Sequence, residues 1–185
     1  MMDHFTLDPT LYEGRPADCT GRDAVETACY DFLDGLGVPY RRADHDEAPS
    51  IEACAAVEKL LGASICKNLF LCNRQKTQFY LLLMPGDKPF HTKDLTGQLG
   101  CSRLSFAGEE PMRELLGVTP GSVSVLGLMN DTEGRVRLVI DRDVLAPAYF
   151  GCHPCRNTSS LRIATADLTD KILPALRHEP AYVTL

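Results

Sequence analysis

Lys67 and Asn68 open the run Lys67-Asn68-Leu69-Phe70-Leu71, so a charged group stands at the mouth of an apolar, strand-like segment. Desolvating an ammonium is costly unless a partner meets it. Lys67 is either the last solvated residue of the strand, its stem on apolar surface and its head in water, or a group that meets an anion from outside, such as a phosphate. The pattern alone leaves both open. Other reactive side chains say less. The histidines, His4, His45, His91, His153 and His178, are dispersed, and His45 before Asp46-Glu47 reads as part of a solvated acidic turn. Among eight cysteines, Cys152-His153-Pro154-Cys155 has redox or zinc-like spacing. No second close Cys/His pair supplies the remaining ligands of a zinc site. The other cysteines lie mostly in apolar segments, as free buried thiols do. There is no G-x-x-x-x-G-K-[ST] loop, no G-x-G-x-x-G and no G-x-S-x-G elbow. What remains is a lysine beside a strand, the Gly/Ser-rich stretch 120–127, and a polar cluster from His153 to Ser160.

The elements that must position these groups belong to a chain of 185 residues with 44% hydrophobic and 24% charged content, enough for one generous domain with a sizeable core. No apolar run approaches a membrane span, and the N-terminus lacks the pattern of a signal peptide. A cytoplasmic protein is expected. The net charge of −6 argues against wholesale wrapping of nucleic acid. Its distribution is uneven. Residues 1–58 carry 4 Lys/Arg against 13 Asp/Glu, whereas 59–103 carry 7 against 2, and 104–185 carry 8 against 10. The middle block is either an ordinary solvated surface or an anion-facing patch around Lys67.

Residues 1–21 read as an N-terminal extension, and 22–180 as the domain. Val25, Cys29, Phe32, Leu33 and Leu36 form a helical stripe ended by Gly37 and Pro39. Pro39 to Ala43 reads as a strand. Pro49-Ser50 punctuates, with Ser50 as N-cap of a helix to Leu61. Ile51, Cys54, Ala55, Val57, Leu60 and Leu61 form its apolar side, and Gly62 its stop. Cys66–Cys72 and Phe79–Met84 form a hairpin. Helices over Thr92–Leu99 and Glu109–Leu116 flank a strand over Ser102–Phe106. Two strands are expected around the turn 130–134, the second being Val136–Ile140. A strand over Asn157–Ile163 and a helix over Ala166–Leu176, bent or ended by Pro174, complete the chain. Hairpins alternating with short helices predict an α+β fold with a mixed, partly barrel-like β-sheet surrounded by short helices.

Taken in order, several segments resemble one family. They are His45-Asp46-Glu47-Ala48-Pro49-Ser50, Lys67-Asn68-Leu69-Phe70-Leu71, 102–107, 116–124, Gly127-Leu128-Met129-Asn130-Asp131, and His153-Pro154 followed by Asn157-Thr158. The chain resembles the YbaK / prolyl-tRNA synthetase-associated editing family, and within it the free-standing prolyl-tRNA editing proteins (ProX/PrdX type). The resemblance implies hydrolysis of an amino acid wrongly attached to tRNA(Pro), with the acceptor end as partner, prolyl-tRNA synthetase as a second candidate partner, and no metal or cofactor. It implies that Lys67 is the essential lysine, holding the phosphate or ribose of the terminal adenosine, with Asn68 beside it. A ribose hydroxyl of the tRNA would help activate or position the attacking water, so that positioning and electrostatics carry the rate. The family's Gly-x-x-x-Pro loop corresponds to Gly121-Ser122-Val123-Ser124-Val125, where Val125 replaces the proline and loosens the expectation about pocket shape. His153 and Asn157 match the alanine-clearing branch. The implied activity is deacylation of Ala-tRNA(Pro). The alternatives are Cys-tRNA(Pro) or another small aminoacyl-tRNA as substrate, or a catalytically inactive module that binds aminoacyl-tRNA or a synthetase.

Overall fold

A computed structural model describes residues 5–48 and 50–185. Pro49, read above as punctuation, and residues 1–4 lie outside them. The chain folds into two sheets. The first contains β1 (Tyr12–Glu13), β2 (Tyr40–Asp44), β7 (Tyr149–Cys152) and β8 (Ser159–Ala164) in the order β1-β2-β8-β7, antiparallel throughout. The second contains β3 (Lys67–Asn73), β4 (Phe79–Met84), β5 (Leu104–Phe106), β6 (Val136–Asp141) and β9 (Ala181–Val183) in the order β5-β3-β4-β6-β9. It is mixed: β3 pairs antiparallel with β4 and β5, while β4–β6 and β6–β9 are parallel. The sheets join at one corner, where Ile65 bridges Gly151 and the Cys66 amide donates to the Gly151 carbonyl at 3.0 Å. The α+β class and the mixed sheet hold, with two open sheets meeting at that corner.

Side-chain alternation explains the core. All six residues of β4 are buried. Phe79, Leu81 and Leu83 face the main core between the sheets, which also takes Tyr30, Leu33, Phe70, Ile140, Leu161 and Ile163. Tyr80, Leu82 and Met84 face an outer cluster with Leu71, Leu95, Leu104 and Val139. A strand covered on both faces reads as a continuous apolar run.

The helices begin and end where local chemistry dictates. Asp23 caps α1 (Ala24–Gly35) by accepting from the Val25 amide, and Ser50 caps α2 (Ile51–Leu61) by accepting from Ala53. Gly62, Gly100 and Gly117 end α2, α3 (Thr92–Leu99) and α4 (Glu109–Leu116) in the left-handed region. The last helical run comprises α5 (Thr165–Asp167), a π-helical turn (Leu168–Ile172) and α6 (Leu173–Leu176). Pro174 is the second residue after the π-helical turn, and the run ends two residues later at Leu176, as expected of a proline that bends or ends a helix.

Three expectations are corrected. The segment before the turn at 130–134 is a 3-10 helix, Val125–Asn130, not a strand. The Ser124 hydroxyl accepts from the Leu126 amide and winds the chain, and Gly127 sits so close to the Leu116 carbonyl that an added Cβ would lie 3.0 Å from it. A short apolar run cannot distinguish these states. Helix α2 buries Ala53, Val57 and Leu61, and leaves Ile51, Cys54 and Ala55 exposed. The strand expected from Asn157 begins at Ser159, because residues 153–158 form a loop over the site. Strands β1, β7 and β9 were not anticipated. β1 pairs with β2, and Leu7 bridges His45, which ties the N-terminal segment to the first sheet.

Candidate functional site

Lys67 is the first residue of β3 and stands opposite Met84. It therefore shares the outer face of the second sheet with Leu69 and Leu71. Its ammonium donates to the Lys88 carbonyl at 2.6 Å. Lys88 uses its own ammonium on Asp141 (2.7 Å) and Asp143 (2.8 Å), the first a fully buried carboxylate. Both carboxylates raise the Lys88 pKa. The two lysines thus differ. Lys88 neutralises an acid, whereas the contact made by Lys67 is to a neutral oxygen and leaves its charge in place.

Asn68 points to the opposite face, as successive strand residues must. Its Nδ2 donates to the Cys66 carbonyl at 3.0 Å, and its Oδ1 is buried with no hydrogen-bond partner. An orphaned buried acceptor costs about 1–3 kcal/mol, and a ligand N–H or O–H would relieve that cost. A groove of about 330 Å3 opens at this end of the β3–β4 pair, lined by Ile65, Cys66, Pro85, Gly86, Val144 and Tyr149 among others. Burial pushes the Cys66 thiol up to about 12, so it is no nucleophile at neutral pH.

The Gly121 loop is braced from within. Thr119 donates its amide to Ser122 Oγ at 3.0 Å, and that hydroxyl donates back to the Thr119 carbonyl at 2.9 Å. Val123, Ser124 and Val125 are buried. Val125 packs in the main core, so the residue standing in for proline acts on the loop from behind. Gly121 alone of the five is exposed. Its φ is +85°, and an added Cβ would lie 3.3 Å from Asn157 Nδ2. The fold therefore brings Gly121 and Asn157 together.

His153 is half-buried and belongs to a second constellation. Its Nδ1 lies 2.9 Å from the Ser159 carbonyl, which can only accept, so Nδ1 carries the proton. His45 is buried, with Nδ1 at 2.7 Å from the Asp46 carbonyl and Nε2 at 2.8 Å from Ser160 Oγ. The rings meet edge to face, with centroids 6.3 Å apart. The expectation of a solvated turn at His45 is thus corrected: the bridge to Leu7 and the Ser160 hydroxyl draw the ring inside. Burial pulls the His153 pKa below its ordinary 6.5, outweighing the hydrogen bond to the Ser159 carbonyl, which raises it, and the proximity of His45 adds to the lowering. The unfolded chain takes up this proton below pH 6.5 and the folded chain does so only at lower pH, so stability falls as pH drops from 6.5 toward the folded value. In melting curves between pH 7.5 and 5, we expect a progressive loss of Tm below 6.5 that is reduced in His153→Gln.

Beside this pair lies a polar cavity of about 490 Å3 whose lining includes Arg22, Asp23, Glu26, Asp44, His45, Arg156 and Thr158. Arg22 ion-pairs with Glu26 at 2.6 Å and Asp44 at 2.8 Å. Tyr30 donates to Glu26, and Ser159 and Arg42 donate to Asp44. Burial raises the Asp44 pKa, but hydrogen bonds from Arg22, Ser159 and Arg42 outweigh it and hold the carboxyl below its usual 3.8. Sequence reading passed over this network. One signal was available: Glu26 lies on the same stripe as Cys29, Tyr30 and Leu33, and a carboxylate on a buried stripe requires a partner. The loop between β7 and β8 joins the two regions. His153 faces His45, Arg156 and Thr158 line the cavity, and Asn157 meets Gly121.

These features define a two-sheet α+β domain with an uncancelled lysine at a strand mouth and a glycine turn lying close to an asparagine from a distant loop. The Aminoacyl-tRNA editing domain family profile matches residues 45–171. Prolyl-tRNA editing protein ProX of Acetoanaerobium sticklandii is 32% identical over 143 residues, covering 77% of this chain and 87% of that protein. Prolyl-tRNA synthetase associated domain-containing protein 1 of Danio rerio is 30% identical over 156 residues, covering 83% and 84%. The chain belongs to the aminoacyl-tRNA editing domain family. Its fold is also that of a crystal structure described as a candidate trans-editing enzyme for prolyl tRNA synthetase, with a TM-score of 0.63 at 18% identity over 88% of this chain and 98% of the other. No helix among the described residues is long and apolar enough to cross a membrane.

Proposed function

We propose that this protein is a trans-acting deacylase that clears alanine from mischarged Ala-tRNA(Pro) in the cytoplasm. The observation that carries this reading is the contact between Gly121 and Asn157. Two segments far apart in the chain, which the family resemblance assigns to one aminoacyl pocket, lie against each other. Lys67 offers its uncancelled ammonium to the phosphate or ribose of the terminal adenosine, at the strength of a charge-assisted hydrogen bond. Gly121 lets backbone approach the ester closely. Asn157 and His153 flank the aminoacyl group, with His153 neutral at physiological pH. A water positioned with the help of a ribose hydroxyl attacks the ester carbonyl. The tetrahedral oxyanion collapses with cleavage of the ester C–O bond, and the proton given up by the water passes to the departing oxygen, releasing the amino acid and the tRNA hydroxyl.

The test is loss of the ester from Ala-, Cys- and Pro-tRNA(Pro) incubated with the purified protein. Alanine should be released fastest and proline retained. Preferential release of cysteine would reassign the substrate, and binding without any turnover would replace the enzyme with a binding module.

A further inference from the structure

Phe106 is 63% exposed on β5, the edge strand of the second sheet. A large exposed apolar side chain on an edge is a liability unless something covers it. Phe106 stands opposite Leu71 in the register, which places it on the face that carries Lys67 and Leu69. Phe90 meets it edge to face, with centroids 6.2 Å apart, and packs on the outer cluster that includes Leu69. Phe90 lies two residues beyond Lys88, whose carbonyl holds the Lys67 ammonium. Lys67 and Leu71 are separated by roughly 13 Å of strand. One sheet face therefore carries a cation at one end and Phe106 at the other, with Phe90 from the loop after β4 set against Phe106, and with exposed Lys93 and Arg103 in the flanking segments against Asp87, Asp94, Glu109 and Glu110. Lys67, Phe90, Lys93 and Arg103 fall inside the basic block and Phe106 lies three residues beyond it, whereas carboxylates dominate the lining of the histidine cavity.

We infer that this face is a stacking platform for the single-stranded 3′ end of a tRNA, with bases on Phe106 and Phe90 and the terminal nucleotide directed to Lys67. The inference rests on the deacylase reading for the identity of the RNA. The physics is that of sequence-tolerant single-strand binding: cations follow the phosphates and aromatic faces stack bases.

The experiment uses uncharged RNA, so its outcome is separate from turnover. Anisotropy is measured with the full chain and a labelled acceptor-stem hairpin carrying a single-stranded CCA tail, and with the same hairpin blunt. Wild type should bind the tailed RNA more tightly. Phe106→Ala should weaken that binding roughly five- to one-hundred-fold without changing affinity for the blunt RNA, and Phe106→Trp should restore it. Because Phe106 is exposed, the alanine variant should keep the wild-type melting curve. Equal binding of tailed and blunt RNA by wild type, or unchanged tailed binding by Phe106→Ala, overturns the platform. So does a wild-type dimer that Phe106→Ala converts to monomer, since the patch would then be covered by a second copy. If no aminoacyl-tRNA is hydrolysed but the Phe106 effect appears, the platform stands and the deacylase reading falls.

Discussion

Lys67→Ala is expected to lower the rate of alanine release by about a hundred- to a thousand-fold, the scale of losing one well-placed electrostatic group. Three features make this residue sensitive. It starts a strand whose register with β4 is fixed by buried residues on both faces, so its Cα cannot drift. Its ammonium is oriented by the Lys88 carbonyl, a contact that aligns the group without cancelling its charge. Lys88 is committed to Asp141 and Asp143 and cannot substitute. The fold should survive, because Lys67 is only partly buried and its loss strands a single carbonyl close to solvent. Lys67→Arg should recover part of the activity, since it keeps the charge but replaces a compact ammonium with a wider planar fork. Single-turnover rates on Ala-tRNA(Pro), alongside melting curves for each variant, make the check. Full activity in Lys67→Ala would remove this residue from the reaction.

Arg22→Leu should destabilise the fold by about 3 kcal/mol, the low end for breaking a buried ion pair. For a chain of this size that is roughly 6–12 °C in Tm. Glu26 is 3% exposed and would keep only the Tyr30 hydroxyl and a distant serine. Asp44 would retain Arg42 and Ser159. Most of the cost should therefore come from Glu26, and Arg22→Leu/Glu26→Gln should recover much of it, because a neutral amide needs no counter-charge. Urea denaturation of both single variants and the double variant gives the coupling energy directly. A loss below 1 kcal/mol for Arg22→Leu would mean that water reaches Glu26 and the network is ornamental.

Much of the fold was legible because its signals are local. Ser50 as a cap and Gly62, Gly100 and Gly117 as stops act within one helical turn. The hairpin over β3 and β4 announced itself by two apolar runs around a polar loop. The failures are equally physical. The run Val125–Asn130 is short and apolar, and only the Ser124 cap and the packing of Gly127 on α4 decide that it winds. Ile51 was placed on a buried stripe, but as the first residue of α2 it is 85% exposed, because the helix is held by Ala53, Val57 and Leu61.

The candidate site divides in the same way. Residue types and spacing by themselves determined that Lys67 heads a strand and that Gly121 permits a close backbone approach, and the ordered segments carried the resemblance to an editing family. They could not determine which groups meet. Lys67 and Asn68 are neighbours in sequence yet face opposite sides of a sheet, and the carbonyl that orients Lys67 comes from a loop after the next strand. His153 finds His45 edge to face, and Asn157 finds Gly121, across separations of 108 and 36 residues. Such contacts depend on strand register and on how two sheets join at Gly151. Both are set by burial summed over the whole core, and no short stretch of sequence carries that sum.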